Sequence, residues 1–542
     1  MNRRALLKSA ICAGLPVPAP AAHPPRIFDP REDGAAGDGK TKDTAAIQNA
    51  IDRCSGSGGG IVYLAPGTYL SGTLVLKSNV TLYLEAGAIL LGSTDLADYI
   101  PQLGPKPHAD ANDKHLLFAR KAENISICGE GVIDGQGQAF WTPSGRKRPD
   151  ADELWADVAT WYWKPLPRPS PMLELAECRN VRIEDVTLRN SPGWTLRPIA
   201  CESVFISRIR IRNPVYGPNT DGIDVTCSQN VFISDCDIST GDDAICLKSE
   251  NPYGEILVSR NITVSNCALT GCCNGFKIGT ATHGGFENIA FSNSVVFNGP
   301  VAFNERIIAG VAVEMVDGGW IDGVMVSNIR MQNVRTPVFI RFGNRAKQEL
   351  SRSQSYLRGV MISDVRATGA ILTSSITGLP EKPVADVALR HIRVFSQEEG
   401  KADWSHRVIP ERPEAYPEAR MFGRLPASGL YCRHVQDLLL DDVRLESQTS
   451  DPRPLLVCED ISDLEIDAFA GRSSSRLAAL LDLRQVRNAF IRNSSAPAGT
   501  AAFLRVSGAD SSGIVLAANN LRRAEKPVEL DPAAPQSAVS FA

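Results

Sequence analysis

Two short stretches of this chain concentrate its most reactive side chains. NTDGIDV, from Asn219, carries Asp221 and Asp224, and GDDAICLKS, from Gly241, carries Asp242, Asp243 and Lys248. Carboxylates held together repel when ionised, so at least one is pushed to keep its proton while its neighbours are charged. That sets a proton donor beside a base, which is what cleavage of a glycosidic bond requires. The same residues would also suit a solvated acidic turn or a calcium site, and Asp-Gly pairs are common at strand corners.

The elements that must hold these residues are legible as a repeat. A polar residue, most often Asn, is followed by alternating apolar positions in NVTLYLEAG from Asn79, NISICGEGVIDG from Asn124, NVRIEDVTL from Asn180 and SVFISRIRI from Ser203. The pattern continues at Asn230, Asn261, Asn288, Gly323, Gly359, Asp386, Asp437, Asp463 and Asn488. Period-two alternation predicts strands, and several short strands in each repeat of roughly 23–27 residues predict a right-handed parallel β-helix. A leucine-rich repeat has a similar period, but its fixed Leu/Asn frame and helical turns are missing. Asp33–Ile51 reads as a glycine-rich turn, a Thr44 cap and an amphipathic helix that closes the open end of the solenoid.

Stacking the repeats predicts which side chains are neighbours, because successive rungs lie about 4.8 Å apart. Six positions after each start come Val186, Ile209, Cys236, Cys267, Ser294, Ile329, Val365, Ile392 and Val443, a column small or apolar enough to point inward. In the next strand Trp194, Ile223, Ile245, Phe276, Val311 and Val338 are expected inward, with Leu196 level with Val225. Asp221, Asp243 and Asn274 then stack at the head of one sheet. Asp224, Cys246 and Lys277 form one outward column, and Arg197, Lys248, Glu314 and Arg341 another. Glu314 and Arg341 read either as a surface ion pair or as part of a binding face, whereas Lys248 and Lys277 lie nearest the carboxylates and suit contacts to a uronate or a sugar hydroxyl.

The motifs DGAAGDGKTKDTAAIQNAI, GGGIVYLAPGTYLSGTL, GVIDGQG, NTDGIDV and GDDAICLKS, spread over residues 28–445, resemble those of the family 28 glycoside hydrolases, the polygalacturonase-like enzymes. The resemblance implies a β-helix that hydrolyses α-glycosidic bonds of pectin with inversion. It implies Asp242 as the general acid and Asp221 with Asp243 as the pair that activates water, with the acid and base about 6.5–9.5 Å apart. Asn219, Asp224, Lys248, Asn274, Lys277, Arg197, His283 and Glu314 complete the expected substrate-binding set, with no metal and no cofactor. Two positions depart from the family pattern. Cys273-Asn274-Gly275 stands where a GHG triplet is usual, and Ala312-Val313-Glu314 where an RIK clamp is usual. Asn274 can hydrogen-bond Asp243 or Asp221 but cannot titrate near neutrality, and His283 stands nine residues on, either reaching the site or serving as a plain loop residue. The expectation is a variant hydrolase of the pectin backbone, galacturonan or rhamnogalacturonan, with the insertions walling a pocket for chain ends. The alternatives are a non-catalytic carbohydrate-binding β-helix and a polysaccharide lyase, which would need an Arg or Lys base.

Composition agrees with a long, thin body. Of 542 residues only 6% are aromatic while 43% are hydrophobic, so the core is built from small branched side chains. A net charge of −4 gives no support for a nucleic-acid or membrane partner. Arg3-Arg4, a weakly apolar stretch and Ala-Pro-Ala-Ala at 19–22 read as a twin-arginine export signal over residues 1–22, and hence a periplasmic or secreted protein. Lys8 and three prolines break that stretch too early for a membrane span. The 13 cysteines lack zinc-type spacing and read as buried thiols. A single β-helix domain over 26–535 is expected, monomeric, interrupted by insertions near 138–171, 345–358 and 396–426.

Overall fold

The computed structural model describes residues 26–102, 113–145, 163–301 and 305–542; the export signal expected at 1–22 and part of the 138–171 insertion lie outside them. The described chain is a right-handed parallel β-helix. Coil after coil pairs in parallel with the next, as Ile223–Thr226 does with Ile245–Ser249 and Gln229–Ser234 with Ser259–Ser265. Among the described residues the exceptions are Trp141–Pro143, which pairs antiparallel with Trp163–Pro165 in the first insertion, and an antiparallel bridge between Leu379 and Lys382.

The residues that open each repeat are those that turn the chain. Asn79, Asn124, Asn180, Ser203, Asn230, Asn261, Asn288, Asp386, Asp437, Asp463 and Asn488 all have φ between 51° and 64°. Asn and Asp tolerate this left-handed conformation better than other side-chain-bearing residues. Stacked bends bring amides into line. Asn124 donates to Asn79 at 2.8 Å, Asn180 to Asn124 at 2.7 Å, Asn261 to Asn230 at 2.9 Å and Asn288 to Asn261 at 2.9 Å. Between bends, alternation sends one face of each strand inward, and the expected column from Val186 to Val443 is buried throughout.

The N-terminal end is closed by a helix, Thr44–Gly56, which buries Ala46, Ile47, Ala50, Ile51 and Cys54 against the first coils. Its cap is Asp43 rather than Thr44, and the Asp43 carboxylate turns away to accept from the backbone N–H groups of Ala36 and Gly37. Strand pairing continues past residue 535, with Val539–Phe541 added to the last coil. The twelve described cysteines are unbridged, and ten of them are buried. No described helix is long and apolar enough to cross a membrane.

One register differs from expectation. Leu196, not Trp194, is level with Ile223, so Arg197 joins the column of Asp224 rather than that of Lys248. The turn before this strand spans residues 190–195, shorter than the turn over 213–222 in the next coil, and alternation alone does not reveal such differences in length.

The amide ladder makes a stability prediction. Asn261→Ala loses a bond to each neighbouring coil and leaves alanine at a φ of 55°, for an expected loss of about 1–3 kcal/mol. Asn261→Gly should recover only the backbone share of that loss. Denaturant midpoints compare the two, and equal losses would overturn the role given to the bend.

Candidate active site

The carboxylates are set by backbone hydrogen bonds between three rungs. Thr195 N–H donates to Asp221 C=O at 2.9 Å, Gly222 N–H to Asp243 C=O at 2.9 Å and Ala244 N–H to Asn274 C=O at 2.8 Å. Asp221, Asp243 and Asn274 therefore occupy successive levels of one sheet. Both motif glycines are demanded by this approach. A Cβ on Gly222 would meet the Ala244 carbonyl oxygen at 2.4 Å, and one on Gly241 the Gly217 carbonyl oxygen at 2.3 Å. Thr220 Oγ1 accepts from Gly241 N–H at 3.0 Å and Thr240 Oγ1 donates to Asp242 C=O at 2.7 Å, bracing the turn. Asp221 and Asp243 are buried, whereas Asp242 is partly exposed and its carboxylate accepts from Asp243 N–H at 2.8 Å.

Two buried lysines answer this negative charge. Lys248 Nζ lies 3.2 Å from Asp224, 3.8 Å from Asp221 and 4.6 Å from the centre of the Trp194 ring. Lys277 Nζ lies 3.1 Å from Asp243 and 3.6 Å from Glu314, and 3.4 Å from the Tyr416 hydroxyl. Burial works against both ammonium charges, but the surrounding carboxylates outweigh it and hold both lysines protonated. Asn274 Nδ2 donates to Asp243 at 2.7 Å.

The carboxylates consequently divide. Burial, with Asp242 and Asp224 close by, pushes Asp221 well above the usual carboxylate range. Burial also opposes ionisation of Asp243, but Lys277, Lys248 and the Asn274 amide together hold it below that range. Asp221 Oδ1 accepts no hydrogen bond from the described residues. The site thus offers a buried carboxyl of raised affinity for protons, a second held ionised, and a third that is partly exposed.

These groups line a cleft of about 240 Å³ together with Trp194, Asn219, Thr280, Ala281, Arg345 and Tyr416. Asn219, Asp221, Asp242, Asp243, Lys248 and Lys277 are all in the lining. Arg168 fixes the Asn219 side chain with a 3.1 Å hydrogen bond. Asp224 and Asn274 stand one layer behind, each against a residue that lines it.

Three expected contacts fall elsewhere. Arg197 is buried against Glu174, at 2.5 Å, and beneath the Trp194 ring. His283 is an exposed turn residue outside the lining. Glu314 is buried under Lys277, and the surface ion pair with Arg341 does not form: the Arg341 guanidinium donates instead to the carbonyls of Gly378, Glu411 and Arg412. In place of these contacts, Arg345 and Tyr416 arrive from the two later period-breaking segments. Arg345 is held by Asp317 at 2.7 and 2.5 Å, and its guanidinium lies 5.6 Å from the Tyr416 ring centre. A second apolar cluster of Ile409, Met421, Phe422 and Leu425 against Ile308, Ala312 and Phe339 seats the segment that carries Tyr416 on the outer face of the sheet. The positions of these insertions were legible in the broken period, but the side chains they deliver were not. Trp194, expected inward, lies in the turn before the strand that begins at Leu196 and lines the cleft.

Asp242, Asp243 and Cys273 are the described residues whose ligand atoms lie within 4.8 Å of one another. Burial holds the Cys273 thiol protonated, and Lys277 already provides Asp243 with a cation, so the group is a poor metal cradle.

Fold and cleft together define a glycan-cleaving solenoid, with carboxylates and cations gathered on one sheet of a parallel β-helix. Residues 86–394 match the sequence profile of the glycosyl hydrolases family 28, and residues 29–139 that of rhamnogalacturonase A/epimerase, pectate lyase-like. The chain belongs to glycosyl hydrolase family 28 and is a glycosidase, which decides between the enzyme and the binding-module alternative. It is 26% identical to a probable polygalacturonase of Vitis vinifera, over 73% of this chain and 82% of that one. It is 29% identical to an endo-polygalacturonase of Pectobacterium carotovorum, over 55% and 71%. Its fold is similar to that of an exopolygalacturonase from Thermotoga maritima, with a TM-score of 0.58, 22% identity and coverage of 77% and 93%.

Glu314 makes the site's pH dependence testable. Burial pushes its carboxyl up to about 8 in spite of Lys277, whereas an unfolded chain would ionise it near about 4.3. Between those values the folded state keeps a proton that the unfolded state loses, so this group's contribution falls as pH rises through the interval. In Glu314→Gln the denaturant midpoint should change less between about pH 5 and about pH 8 than in the wild type. An unchanged slope would overturn the protonated Glu314.

Proposed function

We propose that this glycosidase hydrolyses α-linked galacturonan of pectin with inversion. The observation that carries the reading is the meeting of Asp221, Asp242 and Asp243 with Lys248, Lys277 and Arg345 in one cleft. Acid–base groups alone would suit many glycans; cations beside them suit a sugar that carries a carboxylate. Asp242, the most accessible of the three, donates the proton to the leaving oxygen. Asp243, held ionised by Lys277, takes the proton of the attacking water, and Asp221, which keeps its own proton, holds that water in place beside it. Lys277, Arg345 and Tyr416 receive the uronate, a role the missing histidine and RIK clamp would otherwise perform.

A lyase mechanism is disfavoured by the same geometry. Its base must accept a proton, yet Lys248 and Lys277 are held protonated by carboxylates and Arg345 is engaged by Asp317. Tyr416 and Arg345 also wall the cleft, which supports attack at chain ends; product sizes distinguish monomer release from random cutting. The reading includes action as an exported monomer after loss of residues 1–22, supported by the paired Arg3-Arg4.

The test is a panel of polygalacturonate, rhamnogalacturonan and their oligosaccharides. Polygalacturonate should yield reducing ends without ultraviolet-absorbing unsaturated product, and the first sugar released should carry the inverted anomeric configuration by NMR. Asp242→Asn should lower kcat by a factor of about 10²–10⁴. Full activity in that variant would sink the acid assignment, and preference for rhamnogalacturonan would redirect the substrate. Arg345→Ala should raise KM about tenfold with little change in kcat, the signature of lost uniform binding.

A further inference from the structure

A second cationic surface lies on a different sheet from the cleft. Arg330, Arg366, Arg393 and Arg444 are in direct register on four successive coils, two residues beyond the second bend of each. The strands that carry the cleft pair only among themselves, so this ladder faces away along a separate line of rungs. Arg330, Arg366 and Arg444 are exposed and Arg393 half-buried. A groove of about 640 Å³ runs past Arg366, Arg393 and Arg444 to Arg472 and Arg523, with Glu446 as its one carboxylate.

Like charges set directly opposite one another on neighbouring strands are destabilising. The chain could relieve the repulsion with acids, as it does elsewhere, but here it does so at one point. Asp442 pairs with Arg393 at 2.5 Å and approaches Arg444 at 3.5 Å. Among the described residues no carboxylate comes within ion-pair distance of Arg330, Arg366, Arg472 or Arg523. The Arg366 guanidinium is laid flat over the Phe395 ring, 4.5 Å from its centre, which fixes its direction without neutralising it. In a protein whose net charge is −4, this is a local excess of cations built on a rigid repeat.

We propose that the ladder is an auxiliary binding site for a linear polyuronate chain lying parallel to the solenoid axis. The rung spacing of about 4.8 Å is the repeat of the ladder, and an extended chain of linked pyranoses advances by a comparable length per sugar. Arg393 is engaged by Asp442, but Arg330, Arg366 and Arg444 can each meet a carboxylate in the planar, two-point geometry that arginine favours. A nucleic acid strand would want several aromatic platforms for its bases, and the groove offers Phe395 alone. The identity of the ligand as a uronate chain rests on the substrate proposed above; the site's position does not. Such a surface holds the polymer while the cleft works on it, and carries no chemistry of its own.

The experiment uses the full chain with Asp242→Asn to prevent consumption of the polymer, and reads retardation by polygalacturonate in native affinity gels. Arg366→Glu with Arg444→Glu should weaken binding by about tenfold or more, and Arg366→Gln with Arg444→Gln should give a smaller loss at an unchanged melting temperature. In the otherwise wild-type enzyme, the same pairs should leave turnover of a short oligogalacturonide unchanged. Undiminished retardation in the Glu pair overturns the proposal. So does equal or tighter binding of a DNA oligonucleotide or of phosphatidylglycerol vesicles, which would mark a cationic surface open to any polyanion. Retardation lost in the Glu pair while no pectic substrate is cleaved would leave the ladder standing and remove the hydrolase specificity; cleavage with retardation unaltered would do the reverse.

Discussion

The constraint on which the molecule depends is the peptide hydrogen bonding from each coil to the next. It fixes register, so every side chain stands over its counterpart about one strand spacing away. In the interior this stacks like on like and builds a core from Val, Ile, Leu and Cys with little need for aromatic bulk. On the outside it forces Asp221 and Asp243 onto neighbouring levels whatever their mutual repulsion. The charge chemistry of the cleft follows from that enforced proximity rather than from any flexible arrangement of side chains.

Buried carboxylates at such spacing are tolerated because the same register supplies their counter-charges. Lys277 answers Asp243 from the next coil, and Lys248 answers Asp224 from its neighbour. Neutralisation is uneven, and the unevenness is chemically useful. Asp243 is tied to a lysine and an amide, Asp221 is as buried but has Asp242 and Asp224 nearby and its lysine farther off, and Asp242 remains toward solvent. Asp221 and Asp243, of identical intrinsic acidity, acquire different proton affinities from position alone.

Much of this was legible in the sequence because alternation and repeat spacing are direct imprints of strand geometry. The inward ladder, the rungs of Asp221, Asp243 and Asn274, and the columns of Lys277 and Cys246 all follow from counting. Counting fails where a turn changes length. The turn over 190–195 is shorter than that over 213–222, so Leu196 rather than Trp194 is level with Ile223, Trp194 stays in the turn and lines the cleft, and Arg197 lies under it. It also fails for polarity. Glu314 reads as a surface residue because it faces outward, yet the segment that carries Tyr416 covers that face and buries it. Arg345 and Tyr416 come from segments without period, whose path is set by apolar packing on the sheet and by contacts such as that between Arg345 and Asp317.

The way those two segments attach has a consequence for descent. Each leaves and rejoins the solenoid between strands whose pairing resumes beyond it, and the segment that carries Tyr416 is moored by its own apolar cluster rather than by the main core. Residues in them can be exchanged, lengthened or lost without altering the register that sets the aspartates. On the proposed reading, Arg345 and Tyr416 are thereby inherited apart from the rungs that carry the aspartates, Lys248 and Lys277. A lineage that keeps its rungs can change the sugar it accepts by rewriting its loops.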